Sequence, residues 1–346
     1  MNDGLSSARW QPPKDWLQVD TIDMHTGGEP LRIIVDGLPE IPGQTILEKR
    51  RYFRKHLDDI RKALIWEPRG HADMYGTVLT PPVTPDGHFG VFFMHNEGYS
   101  TMCGHAIIAL VKFVIETGLI QYPQDGLIRI DAPPGRINAF AEMNGNTVVK
   151  SSFHNVPSFV LFQDQAVDVQ GLGNVNFDVA YGGTFYAFVD ADSIGIELES
   201  RQITRIIDLG RKIKKAVARN FDIVHPFEAD LSFLYGTIFT GKPKDENHHS
   251  RNVCVFANGE VDRSATGSGV SARAALHAVK DGLKPCEKLV IESLIDTTMD
   301  VEITEYTSFG PYSAVIPKVA GTAFFTGQHR FLIDPNDPIK EGFLIR

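Results

Sequence analysis

The chain has 346 residues, 42% of them hydrophobic, and a formal net charge of −9; that length and apolar content suffice for two cored lobes and argue against disorder on any large scale. No basic stripe offsets the acidic balance, because Arg50-Arg51 and Lys214-Lys215 fall in amphipathic helical segments that read as solvated faces, so nucleic acid is not expected as a partner. Three cysteines without a C-x-x-C pair give neither a disulfide framework nor structural zinc, and Met1 to Trp16 lacks an apolar h-region, so a soluble protein of a reducing, cytoplasmic compartment with no membrane span is expected.

In chain order, Leu17 to Met24 and Leu31 to Val35 predict two strands around a tight turn at Gly27-Gly28. Thr45 to Ile65 carries Ile46, Leu47, Phe53, Leu57, Ile60, Leu64 and Ile65 on one face, which predicts a single amphipathic helix. In the polar loop that follows, His71 and Asp73 lack a third ligand nearby and read as a hydrogen-bonded pair, so no metal is expected. Met74 to Leu79 and Phe89 to Met94 read as strands separated by a proline-rich loop.

A helix from about Gly104 to Thr117 is apolar nearly all round and belongs inside a core. Short β-like runs cover Leu127 to Val160, with a hairpin turn at Asn144-Gly145 and a change of lobe around Val156 to Val160. Phe177 to Val189 predicts a strand containing Gly182-Gly183, Ile203 to Val217 an amphipathic helix, and Leu231 to Thr240 and Val253 to Phe256 further strands. The paired His248-His249 reads as solvent-exposed, Cys254 as a small core residue, and Cys286 as without a role. A second central helix, about Gly267 to Val279, precedes a tail of β-like runs with turns at Phe309-Gly310-Pro311 and Asp334-Pro335-Asn336.

Two stretches echo each other: Thr101-Met102-Cys103-Gly104-His105-Ala106 and Ala265-Thr266-Gly267-Ser268-Gly269-Val270, each opening a central helix. A helix start presents unpaired N–H groups and the positive end of the macrodipole, so Cys103 there should favour its thiolate and act as a base or nucleophile. Thr266, at the matching position, has a hydroxyl that cannot readily exchange protons with carbon. Taken singly, a buried inert cysteine and an ordinary threonine N-cap are the plain alternatives. Gly267 to Ala272 also matches G-x-G-x-x-A, but the strand before it ends about ten residues too early for a dinucleotide fold, leaving amides suited to a small carboxylate.

The stretches Met24-His25-Thr26-Gly27-Gly28-Glu29-Pro30, Glu67-Pro68-Arg69-Gly70-His71, Met102-Cys103-Gly104-His105 and Asp262-Arg263-Ser264-Ala265-Thr266-Gly267-Ser268-Gly269 resemble the proline racemase family. The resemblance implies an α+β, diaminopimelate epimerase-like fold: two similar lobes, each a curved, barrel-like β-sheet around a central helix, with substrate held between the helix N-termini. It implies a first lobe of residues 17–157 plus about 325–346, carrying Cys103, and a second of residues 158–324, carrying Thr266.

Racemases and epimerases of the family carry cysteine at both helix starts, whereas a Cys/Thr pair looks like the trans-3-hydroxy-L-proline dehydratase branch. The resemblance therefore implies that Cys103 removes the Cα proton of an imino acid and the β-hydroxyl departs, yielding Δ1-pyrroline-2-carboxylate. Gly104, His105, Gly267 and Ser268 would hold the substrate carboxylate, Asp262 the ring ammonium, and Thr266 would form a hydrogen-bonding wall. No lysine or motif points to pyridoxal phosphate, so no cofactor is expected, and a homodimer is left open. Two alternatives also stand: a proline or 4-hydroxyproline racemase or epimerase using Thr266 or its water as second acid, and an inactive relative that only binds an imino acid.

Overall fold

The computed structural model describes residues 10–345. The first part of the Met1–Trp16 stretch, and Arg346, lie outside the described residues. Leu17–Thr26 (β1) and Glu29–Asp36 (β2) form the expected hairpin, and Gly27 and Gly28 make its turn at φ of 59° and 89°.

The predicted helix over 45–65 is two helices, Ile46–His56 (α1) and Asp58–Ile65 (α2). Thr45 and Glu48 close a capping box on α1. Leu57 leaves helical geometry at ψ 15°, and Asp58 and Asp59 then supply negative charge to the start of α2, so periodicity runs on through a break in the backbone. Arg50 is buried rather than solvated, with Nη2 donating to the Tyr99 carbonyl at 3.2 Å, whereas Arg51 is exposed.

Tyr75–Thr80 (β3) and Phe89–His95 (β4) lead to the central helix Gly104–Glu116 (α3). Ile128–Ala132 (β5), Gly135–Asn144 (β6), Thr147–His154 (β7) and Ser158–Val169 (β8) follow. The predicted strand over 177–189 is instead the antiparallel pair Gly173–Tyr181 (β9) and Phe185–Asp190 (β10), because Gly182-Gly183 turns the chain with Gly183 at φ 95°.

Ile203–Asn220 (α4) buries one apolar face; its Lys214 is half-buried, not solvated, and donates to the Ala257 carbonyl at 2.5 Å, while Lys215 is exposed. Burial pushes the Lys214 ammonium down to about 8. Leu234–Gly241 (β11), Ser250–Phe256 (β12) and the short Glu260–Val261 (β13) precede the second central helix, Gly267–Lys280 (α5). Cys254 is fully buried in β12 and Cys286 is exposed. Of the paired histidines, His249 is exposed but His248 is half-buried, its Nδ1 2.9 Å from Glu292.

Lys288–Glu292 (β14), Thr298–Phe309 (β15), Tyr312–Gly321 (β16) and Ala323–Ile333 (β17) complete, among the described residues, a continuous sheet of 17 strands. Around α5 the pairings run β8, β9, β10, β11, β12, β14, β15, β16 and return to β8, which closes a barrel. Around α3 they run β17, β1, β2, β3, β4, β5, β6, β7, β16. β16 belongs to both: Lys318 to Gly321 pair with β7, and Ala314 and Val315 with β8.

The fold is thus α+β with two curved sheets, each wrapped on a central helix. Both helices are buried on nearly every side, α3 behind Ile, Leu and Val, and α5 behind Ala, Ser and Gly. Among the described residues no helix is long and apolar enough to cross a membrane.

Candidate active site

The starts of α3 and α5 meet backbone to backbone. A Cβ on Gly104 would lie 2.5 Å from Gly267 Cα, and one on Gly267 would lie 2.6 Å from Gly104 Cα, so only glycine allows this approach. The β9–β10 turn seats against the same point, through Asn155 Nδ2 to the Gly182 carbonyl at 2.7 Å and Thr101 Oγ1 to the Gly183 carbonyl at 2.8 Å. Gly104→Ala is therefore expected to cost about 1–3 kcal/mol by overpacking, read as a lower urea midpoint at unchanged slope, together with loss of activity.

All the candidate residues read from the sequence line one chamber between these helix starts: Cys103, Gly104, His105, Asp262, Thr266, Gly267 and Ser268. It is so narrow that a water-sized sphere has almost no freedom in it, which suits only a small ligand. α5 points its start at Gly104 across this chamber, and residues 262–266 separate it from β13, so the glycines there form no dinucleotide turn.

Cys103 is the N-cap residue of α3, in extended conformation, and its side chain makes no capping bond. The expected lowering of the thiol is overturned. Burial pushes it well above its ordinary range; the Ala106 amide and the Tyr75 hydroxyl pull the other way, and the charges of Asp262 and Glu29 add to the rise. The helix start does act, through Ala106, but desolvation outweighs it. Cys103 Sγ lies 3.2 Å from Nδ1 of His105, whose imidazole burial lowers to about 3, so the ring stays neutral.

Thr266 is no ordinary N-cap. It sits at φ 65°, strained for a β-branched residue, and its side chain does not cap α5. Oγ1 is buried near Asp262 and Cys254, close enough to favour their ionised forms, yet makes no hydrogen bond of ordinary geometry among the described residues. Burial pushes the Asp262 carboxyl up to about 6, held back by Ser264, whose amide donates to Oδ1 at 2.7 Å.

The β1–β2 turn ties the walls together. Thr26 Oγ1 donates to the His105 carbonyl at 2.8 Å, and Thr297 Oγ1 donates to the Gly27 carbonyl at 2.9 Å. The buried Glu29 accepts the Arg263 amide at 2.7 Å, next to Asp262, and Arg263 pairs with Asp73 at 2.7 Å. Asp73 is thus partnered by Arg263, while the exposed His71 ring lies against the Ala72 carbonyl; the two do not form the expected pair.

Sequence reasoning missed Glu29 as a contact of the Asp262–Arg263 peptide, and it missed Tyr75, Tyr186 and Tyr235 in the chamber wall. The three tyrosines stand in strands where a buried aromatic reads as core, so only the fold reveals them. Tyr186 Oη bonds Ser268 Oγ at 2.8 Å, and Tyr75 Oη bonds Ser100 Oγ.

The family model for proline racemase matches residues 21–344. The chain belongs to the proline racemase family. It is 48% identical to a protein of Colwellia psychrerythraea named trans-3-hydroxy-L-proline dehydratase, over 98% of this chain and 96% of that one. It is 45% identical to a human protein of the same name over the full length of both. Among solved structures, a hydroxyproline epimerase from Agrobacterium vitis with bound trans-4-hydroxy-L-proline superposes with a TM-score of 0.91 at 26% identity, covering 96% of each chain. The family fold is therefore common ground with that structure.

Proposed function

We propose that this protein dehydrates trans-3-hydroxy-L-proline to Δ1-pyrroline-2-carboxylate, with Cys103 as the base at Cα. The observation that carries the reading is the asymmetry of the site: a thiol at one helix start and, at the other, a threonine hydroxyl, which does not readily exchange protons with carbon. Two full-length relatives carrying the dehydratase name support it.

The chemistry follows from the residues. Amides at the starts of α3 and α5 face the substrate carboxylate and stabilise the enolate-like charge that develops when Cα loses its proton. The ring ammonium pairs with Asp262. That pairing also activates Cys103, because it neutralises one of the charges that push the thiol up and brings a cation close to sulfur. Neutral His105 stays against Sγ as a hydrogen-bond partner, and the thiol proton is released to solvent as the thiolate forms.

In the trans-3-hydroxy isomer the hydroxyl lies on the ring face opposite the carboxylate, the face that bears the Cα hydrogen. Cys103 takes that hydrogen; the C3–O bond breaks with its electron pair on oxygen, and the proton passes from Sγ to the departing oxygen as water. The enamine left behind tautomerises to the pyrroline. With Thr266 on the far face no proton is returned there, so Cα does not invert. The lobes divide, on this reading, at residues 157/158, with the chain returning to the first lobe near 325, where β17 pairs with β1.

The direct test is mass spectrometry of purified protein given trans-3-hydroxy-L-proline, L-proline or trans-4-hydroxy-L-proline. Loss of one water from the first alone is the expected result; an isomer of unchanged mass from either of the others would mean epimerase or racemase instead.

A pH dependence follows from Asp262. Its carboxyl is protonated below about 6 in the free protein, and a neutral acid does not hold the ammonium. Accordingly kcat/KM should fall as pH drops through about 6, approaching tenfold per unit, while the matching limb of kcat lies at lower pH because bound ammonium favours the carboxylate. Asp262→Asn should be weak throughout and lack this limb. A wild-type kcat/KM that stays flat from about pH 7 to 5 would remove Asp262 from the role.

A further inference from the structure

Two buried hydroxyls in the chamber wall make no hydrogen bond of ordinary geometry among the described residues: Thr266 Oγ1 and Tyr235 Oη. A buried hydroxyl without a partner is unfavourable, and one aimed into a binding chamber marks where a ligand supplies the missing partner. The two stand in different surroundings. Thr266 Oγ1 lies near Asp262 and Cys254, at the start of α5. Tyr235 lies beside Tyr75, close enough for the two hydroxyls to interact though not in ordinary hydrogen-bond geometry, and the Tyr75 hydroxyl is itself bonded to Ser100 and reaches Cys103.

The substrate hydroxyl lies on the ring face that Cys103 attacks, and Tyr75, whose hydroxyl reaches Cys103, has Tyr235 beside it. Tyr75 is already committed to Ser100. We propose that Tyr235 is the residue that recognises the 3-hydroxyl group, so that a hydroxylated imino acid is selected over proline itself. This rests on the dehydratase reading for the identity of the substrate.

The ring of Tyr235 is fixed by its packing, stacked on Phe256 at 5.3 Å between centroids and edge-on to Tyr186 at 5.8 Å and His95 at 5.8 Å, so the direction of its hydroxyl is set before substrate arrives. Burial holds its phenol well above the ordinary range, so it keeps its proton and donates. As the C3–O bond breaks, the proton on Sγ moves to the departing oxygen while Tyr235 donates a hydrogen bond to it and retains its own proton. Bound proline leaves that donor unpaired, and discrimination follows from this difference.

The test separates recognition from turnover. In a Cys103→Ala background, calorimetry measures the affinities for trans-3-hydroxy-L-proline, L-proline and pyrrole-2-carboxylate with and without Tyr235→Phe. The expected result is a loss of about 10- to 100-fold in affinity for the hydroxylated ligand alone, the other two changing little. Equal losses for all three, including a variant that binds nothing, would assign Tyr235 a structural role and overturn the proposal. So would an unchanged ratio of the two imino acids, or a ratio that collapses in Thr266→Val instead. Failure of the dehydratase reading shows up separately, as absence of turnover by the wild-type protein.

Discussion

Cys103→Ser is expected to lose dehydration by about 10²–10⁴-fold in kcat while still binding pyrrole-2-carboxylate within a few-fold of wild type. Serine preserves the shape of the chamber and the approach of α3 to α5, so the protein should fold and hold a planar ligand. What it lacks is a proton acceptor strong enough for a carbon acid: a hydroxyl buried as Cys103 is has no accessible anion near neutral pH. Stopped or steady-state turnover beside calorimetry separates the two effects. Near-full activity in Cys103→Ser would remove the thiol from the mechanism.

Thr266→Cys is expected to change the outcome of the reaction. A thiol at the start of α5 gives the far face of the substrate a group able to deliver a proton to carbon, so a Cα anion formed by Cys103 can be trapped with inversion. Chiral chromatography of proline after incubation should show the D isomer with the variant and none with wild type. Dehydration of the 3-hydroxy substrate should fall at the same time, because reprotonation competes with loss of hydroxide. If the variant inverts nothing while still dehydrating normally, the reason offered here for the threonine is wrong.

The parts of the site legible in the sequence were those carried by local pattern. Cys103-Gly104 and Thr266-Gly267 stand where apolar helices begin, and the bounds of α3 and α5 agree with their periodicity at the starts. Asp262 and the Gly27-Gly28 turn lie in the motifs that carry the family resemblance. The parts that were not legible depend on what is packed around a residue. The thiol of Cys103 follows burial and two nearby carboxylates more than the helix start. Tyr75 and Tyr235 lie on β3 and β11, far apart in sequence, and become neighbours only when the two sheets face each other. Helical periodicity over 45–65 hides the break at Leu57, since apolar spacing reports a buried face and not an unbroken backbone. Likewise an apolar run over 177–189 conceals a hairpin whose glycine turn presses on both helix starts.

The central claim is that Cys103 removes the Cα proton and the β-hydroxyl leaves without inversion. It is tested most directly by proton NMR of purified protein and trans-3-hydroxy-L-proline in deuterated water. The account predicts disappearance of the substrate into Δ1-pyrroline-2-carboxylate, with remaining substrate keeping its original configuration. Accumulation of a Cα-inverted, deuterated hydroxyproline in place of the pyrroline would contradict it.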